Sequence, residues 1–335
     1  MRTAVLLCVF ALALPAAGAD PQRFEYEEPH MGTKFRVVLY APDKAAADAA
    51  AKAVFGRVAE LNRVMSDYDP NSELSTLCER SAVRPAGPKK VSDDLFYVLA
   101  KARDVSELSD GAFDVTIGPV VRLWRQVRKD RRLPDPEMLK AALDRVGYKK
   151  LELDPTAKTV DLKVAGMRLD LGGIGKGYAA DEGLKVLAKQ GITSALVAAS
   201  GDIAVSSPPP GKAGWRVDIA PLPGSKEPRQ VLLKDAAIST SGDSEQFVEI
   251  AGTRYSHIVD PRTGLGQTGR RSVTVIARHG IQADSLTKMA ALLDADKAVA
   301  AIETIDGAAT LIVVKTPTGQ EVKESRRFAG YLAKD

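Results

Sequence analysis

The sequence predicts an α/β protein of the α+β kind, with mixed sheets rich in antiparallel pairs and helices around them. Three observations lead there. Stretches of period-two alternation recur from residue 35 to residue 314. Helical stretches with clear caps and stops separate them. Strand and helix do not repeat as regular βαβ units, which argues against a doubly wound parallel sheet.

Residues 35–40 alternate as a strand, and 45–65 form an Ala-rich helix with Val54, Val58, Leu61 and Met65 on one face. Residues 66–72 are a polar loop whose Ser72 can cap a short helix carrying Leu74 and Leu77. Ser92 caps a helix that runs to Leu108 and stops near Gly111. Pro119 opens another that carries Trp124, and 135–146 gives one more, closed by Gly147. Residues 151–153, 159–162 and 167–171 read as strands, followed by a helix over 176–190 and one strand over 195–205. Residues 215–220, 231–238 and 247–250 are further strands, and Ala251-Gly252 turns the last into a partner over 253–259. Helices over 282–293 and 296–304 and a strand over 309–314 complete the chain.

The chain has 335 residues. Residues 1–19 read as a removable export signal, with Arg2 before an apolar stretch and Ala17-Gly-Ala19 as the cleavage site. A single domain over 20–335 is then expected outside the cytoplasm, in the periplasm or an equivalent space. It carries 46 basic against 43 acidic residues, too even a balance for a nucleic-acid partner. No later segment has the ~18 uninterrupted apolar residues of a membrane span. Cys78 is the one cysteine left after processing, which excludes an intrachain disulfide and a cysteine metal site.

The most informative stretch is Asp170-Leu-Gly-Gly-Ile-Gly-Lys176-Gly, where an apolar entry meets four glycines and leaves as a helix. Free N–H groups and the helix dipole favour an anion there, which points to a nucleotide phosphate. It is not a Walker A loop, because Gly177 follows Gly-Lys where a Ser or Thr belongs. Gly175-Lys-Gly-Tyr-Ala-Ala180 fits a loose dinucleotide fingerprint with Asp202 downstream, and a tight turn with no ligand is the structural alternative.

Several separated segments together resemble the ApbE family, the FAD:protein FMN transferases. They are Met31-Gly-Thr33, Ser66-x-Tyr68-x-Pro70-x-Ser72-Glu-Leu74, Gly111-Ala-Phe-Asp114, the 170–177 loop, Ser239-Thr-Ser-Gly-Asp243 with Ser256-His-Ile-Val-Asp260-Pro-Arg-Thr-Gly264, and Ala283-Asp-Ser-Leu-Thr287. The resemblance implies a two-lobed, T-fold-like single chain. It also implies Mg²⁺-dependent transfer of FMN from FAD to a Thr or Ser hydroxyl of an exported flavoprotein, with release of AMP.

It further implies a site. Met31, Tyr68, Ala112, Phe113, Asp114, Asp170 and Ile258 would contact FAD, Tyr68 through the isoalloxazine. Lys176 would neutralise the diphosphate. His257 would take the acceptor hydroxyl's proton, with Asp260 orienting it or acting in its place. Gly173, through its carbonyl, with Asp284 and Thr287 would hold the Mg²⁺ ion. Several have a plainer alternative: core packing for Met31 and Phe113, a turn tyrosine packed on its neighbours for Tyr68, turn capping for Asp170, a solvated helix for Lys176, a hairpin for His257 and helix capping for Asp284.

Many members of the family have a metal-binding Thr where this chain has Lys288. A protonated lysine cannot ligate Mg²⁺. Three arrangements stay open: Thr287 serves instead, the Lys288 ammonium replaces part of the ion's charge, or Lys288 turns outward. A protein that binds or carries FAD, or cleaves it to free FMN, is the functional alternative. The number of metal ions, the acceptor and the oligomeric state are not written in the sequence.

Overall fold

A computed structural model describes residues 20–219, 229–242 and 247–334. The expected export signal over 1–19 and Asp243 lie outside the described residues. Among these residues there are eight α-helices: α1 (Lys44–Met65), α2 (Glu73–Arg80), α3 (Asp93–Leu108), α4 (Gly118–Asp130), α5 (Pro136–Leu143), α6 (Gly175–Lys189), α7 (Gly280–Leu292) and α8 (Ala295–Glu303). None is long and apolar enough to cross a membrane.

Their starts follow from local chemistry. Asp43, Ser72, Ser92, Asp135 and Asp294 each turn a side-chain oxygen onto a backbone N–H of the first helical turn. Ser72 Oγ also donates to Ser66 O, and Ser66 Oγ accepts the Tyr68 and Asp69 N–H groups. The polar loop before α2 is thereby held by its own side chains.

The central sheet has eight strands in the order Gln22–His30, Thr33–Ala41, Ala195–Ala199, Asp202–Val205, Ala236–Gly242, Arg271–Ala277, Ala309–Thr316 and Gly319–Glu324, with every neighbouring pair antiparallel. Successive side chains in a strand point to opposite faces, and the core is sorted accordingly. Val37, Leu39, Ala237, Val275, Ala277 and Ile312 enter the large cluster beneath α1, α6 and α7. Val38, Ile238, Ile276 and Leu311 enter a second cluster under the hairpin Trp215–Ile219 and Arg229–Leu233. A third cluster joins Trp124 on α4 to Val248 and Val259 in the hairpin Phe247–Ile250 and Thr253–Val259.

Both outer strands of the sheet are exposed along most of their length and rich in charge: Arg23, Glu25, Glu27 and Glu28 on one side, Glu321, Lys323 and Glu324 on the other. Neither was expected from the sequence, and neither were the strands Arg271–Ala277 and Gly266–Thr268.

The structure corrects three expectations. Residues 195–205 are two strands, because Ser200 takes a φ of +58° and reverses the chain. Residues 231–238 break in the same way at Asp235, with a φ of +45°, so that Arg229–Leu233 leaves the central sheet. Residues 167–171 form no strand; Arg168 makes an isolated parallel bridge with Ile117, and the Leu169 and Asp170 N–H groups donate to Cys78 Sγ and Val115 O.

Arg57 on α1 clasps two other helices. Its guanidinium donates to Asp94 Oδ1 at 2.5 Å and Oδ2 at 2.9 Å on α3, and to Glu182 Oε2 at 2.7 Å on α6. Burial pushes both carboxyls up, but the hydrogen bonds and charge of Arg57, with Tyr178 at Asp94 and Lys185 at Glu182, hold both below their ordinary values. Their stabilising contribution is whole above the unfolded pKa near 4 and fades as pH falls through the depressed values. Arg57→Met is expected to lower the unfolding free energy by about 2 kcal/mol at neutral pH. In urea titrations that difference should shrink as pH falls below the ordinary carboxylate range and the two carboxylates take up protons.

Candidate active site

The 170–177 loop is shaped by a helix crossing. A Cβ on Gly177 would stand 2.1 Å from Gly280 O, and one on Gly280 would stand 2.4 Å from Gly177 O, so α6 and α7 touch backbone to backbone. Only glycine on both sides permits this approach. Asp181 on α6 reinforces it by accepting the Gly280 N–H at 2.6 Å and the Ile281 N–H at 3.0 Å at the start of α7. The second glycine of the loose dinucleotide fingerprint, Gly177, thus packs a helix pair.

The crossing gathers four distant segments into one charged cluster. Asp284 on α7 is fully buried and accepts the Gly177 N–H at 3.0 Å, which satisfies one of the free donors at the start of α6. Lys176 Nζ lies 2.6 Å from Asp202 Oδ2 and 3.9 Å from Asp284 Oδ2. Lys288 Nζ donates to Asp284 Oδ1 at 2.6 Å and lies 3.7 Å from Asp202 Oδ1. Ser239 Oγ donates to Asp202 Oδ1 at 2.5 Å and sits 3.1 Å from Thr287 Oγ1.

Two ammonium groups therefore face two carboxylates, of which Asp284 is fully buried and Asp202 nearly so. Burial alone would push the Asp202 carboxyl up, yet the Lys288 and Lys176 charges and the Ser239 hydroxyl hold it down at about 2. Burial would push the Lys176 ammonium down, but Asp284 and Asp202 raise it above its ordinary value. Lys176 is thus no solvated helix lysine. It is a half-buried cation at the mouth of the glycine loop, paired with Asp202.

Asp170 belongs to a neighbouring group that includes a residue the sequence reading missed. Arg125 on α4 pairs with Asp67, lies 3.5 Å from Asp170 Oδ2 and stacks its guanidinium 3.9 Å from the centre of the Tyr68 ring. Asp170 Oδ1 accepts the Gly172 N–H at 2.8 Å, as the turn-capping alternative requires. Burial, and then the Asp67 charge, push the Asp170 carboxyl up against the opposing effects of Gly172 and Arg125. Tyr68 stays 75 % exposed in spite of the stacked arginine. The one sequence signal for Arg125 was its place in the Arg122, Arg125, Arg128 row at helical spacing.

The remaining expected residues lie in other settings. Met31 turns the first hairpin with a φ of +48° and lines a cavity of about 490 Å³ with His30, Thr33, Asn62 and Arg63. No residue of the lysine–carboxylate cluster lines that cavity. Ala112 and Phe113 are buried, and Phe113 Cε2 would lie 3.4 Å from a Cβ on Gly173, so the ring supports the glycine loop from the core side.

Asp114 spends its carboxylate oxygens on its own loops. It is buried and accepts from Thr116 N, Thr116 Oγ1 and Tyr148 N at 2.7 to 2.8 Å, which ties the loop after α3 to residue 148. Burial is the largest influence on it and raises its pKa. Asp260 is likewise a turn clamp: Oδ1 accepts the Arg262 N–H and Nε–H, and Oδ2 accepts from Arg262 Nη2 at 2.7 Å. His257 and Ile258 lie side by side on Thr253–Val259, with the histidine half-buried and the isoleucine buried.

The divalent ion expected at Gly173, Asp284 and Thr287 does not fit this arrangement. Lys288 and Gly177 hold the two Asp284 oxygens, and Thr287 Oγ1 donates to Asp284 O at 2.6 Å within its own helix. The outward-turned Lys288 is overturned by the same contacts. Among the described residues, no three His, Cys, Asp or Glu side chains converge as a metal site elsewhere.

Comparison with known proteins places these features in a family. The ApbE family model matches residues 31–312. A FAD:protein FMN transferase of Treponema pallidum is 32% identical over 331 residues, covering 93% of this chain and 90% of that protein. One from Vibrio cholerae is 29% identical across the full length of both chains. The solved flavin transferase ApbE from Vibrio cholerae superimposes with a TM-score of 0.83, covering 93% of this chain and 100% of that one at 29% identity. The apbe protein from Thermotoga maritima gives the same TM-score, coverage and identity.

Gly177→Ala tests the crossing on which the cluster rests. The added methyl overlaps a backbone carbonyl that cannot give way, so a loss of about 3 kcal/mol in unfolding free energy is expected by chemical denaturation.

Proposed function

The chain belongs to the ApbE family, and from that membership we propose that it is an exported FAD:protein FMN transferase that flavinylates a Thr or Ser hydroxyl of a partner protein. The observation that carries the reading is the convergence of residues 176, 202, 239, 284, 287 and 288 on one cluster of ammonium and carboxylate groups beside the glycine loop. A half-buried lysine charge at a helix start is suited to a diphosphate, where negative charge builds up as the bridge breaks.

In this reading the acceptor hydroxyl oxygen forms a bond to the flavin-side phosphorus. The bond from that phosphorus to the bridging oxygen breaks, and AMP leaves with the bridging oxygen. His257 takes the hydroxyl proton, and Lys176 offsets charge on the diphosphate. Tyr68 offers a flat, exposed surface for the isoalloxazine, stiffened by Arg125 behind it. No step is routed through Mg²⁺, because Lys288 already engages a donor expected to hold it.

Lys288 also favours a second reading, in which the chain binds or carries FAD without cleaving it. One assay separates the two. Incubation of the mature chain with FAD and an exported acceptor is expected to give a fluorescent protein band and AMP in equal amounts. FAD retained intact with neither product supports the carrier reading, and free FMN with AMP indicates a pyrophosphatase. Tyr68→Ala should weaken FAD affinity roughly tenfold by fluorescence titration. Its melting temperature should stay that of the parent, since the ring is mostly in solvent.

A further inference from the structure

Lys288 contacts both side chains expected to ligate the divalent ion, and its stem packs beside Gly173. Its Nζ is 2.6 Å from Asp284 Oδ1 and 3.3 Å from Thr287 Oγ1, and its Cγ would lie 3.2 Å from a Cβ on Gly173. It stands one turn after Asp284 on α7, so the two side chains share a helix face. The lysine side chain is itself largely buried, with 16% of its surface exposed, and Asp202 adds a second carboxylate oxygen at 3.7 Å. A divalent ion bound to Asp284 here would meet an ammonium group at ion-pair distance, and like charges that close repel strongly where water is sparse.

Withdrawing Lys288 to admit such an ion would remove the nearest cation from a fully buried carboxylate. Lys176 would remain at 3.9 Å. The cluster is complete as it stands: two ammonium groups, two carboxylates and two hydroxyls, each with a partner in this chain.

We infer that the Lys288 ammonium is a built-in replacement for the divalent cation, so that this chain engages the diphosphate of FAD without a bound metal. The flavin ligand in this statement rests on the transferase reading; the exclusion of the metal does not. Proton and electron balance are unaffected, because the ammonium acts as a fixed charge and transfers nothing.

Mn²⁺ titration of the full chain without flavin, followed by electron paramagnetic resonance of the free ion, tests the exclusion directly. The parent chain is expected to show no saturable binding at millimolar Mn²⁺, and Lys288→Thr to gain one site that Asp284→Asn in the same chain abolishes. FAD affinity of the parent should be the same in EDTA as in excess Mg²⁺. Lys288→Met, which keeps the stem and removes the charge, should lose roughly 30-fold in FAD affinity in EDTA.

Saturable Mn²⁺ binding by the parent that Asp284→Asn removes would overturn the inference, and that comparison needs no folded Lys288 variant. FAD affinity that collapses in EDTA would overturn it as well. A parent that binds no FAD under any condition sinks the flavin reading, while the Mn²⁺ comparison still decides the exclusion.

Discussion

The backbone contact between Gly177 and Gly280 is the constraint from which the rest of the site follows. It sets α6 against α7 at a distance no side chain allows, and so puts the Gly177 N–H on Asp284 and Lys176 within reach of the same carboxylate. Asp181 fixes the crossing from the other direction by closing the first turn of α7. The strands then supply Asp202 and Ser239 from beneath. A charged group can be buried this far because each partner was brought to hydrogen-bond distance by packing that is itself apolar.

Much of the fold was legible where the information is local. Ser72, Ser92 and Asp135 announce their helices because a side-chain oxygen needs only the N–H two or three residues on. The hairpin at Ala251-Gly252 was equally plain. Legibility failed where a single residue takes a positive φ without being glycine, as Ser200 and Asp235 do, since alternation continues across both breaks. It failed again at the outer strands of the sheet, whose charged alternation is that of a solvated segment until a neighbouring strand is known.

The site divides the same way. The glycine loop, Lys176 and Asp284 stood out in the sequence and do meet in space. Asp114 and Asp260 stood out too, but their carboxylates hold loops together through backbone N–H groups and Arg262. Arg125 could not be found, because its partners Asp67, Tyr68 and Asp170 come from two other segments and nothing in an arginine-rich helix says which residue turns inward. The direction taken by Lys288 was one of three open choices. Its contact with Asp284 removes the outward turn from those three.

The charged outer strands carry a consequence for the protein in a crowded compartment. A sheet ending in bare backbone donors and acceptors is a template on which a second chain can extend the ladder. Here Glu27, Glu28 and Pro29 on one flank and Glu321, Lys323 and Glu324 on the other would have to be laid against like groups or stripped of solvent before any such growth. Charge at both open sides of the long sheet that assembles the site thus works against fibrous self-association.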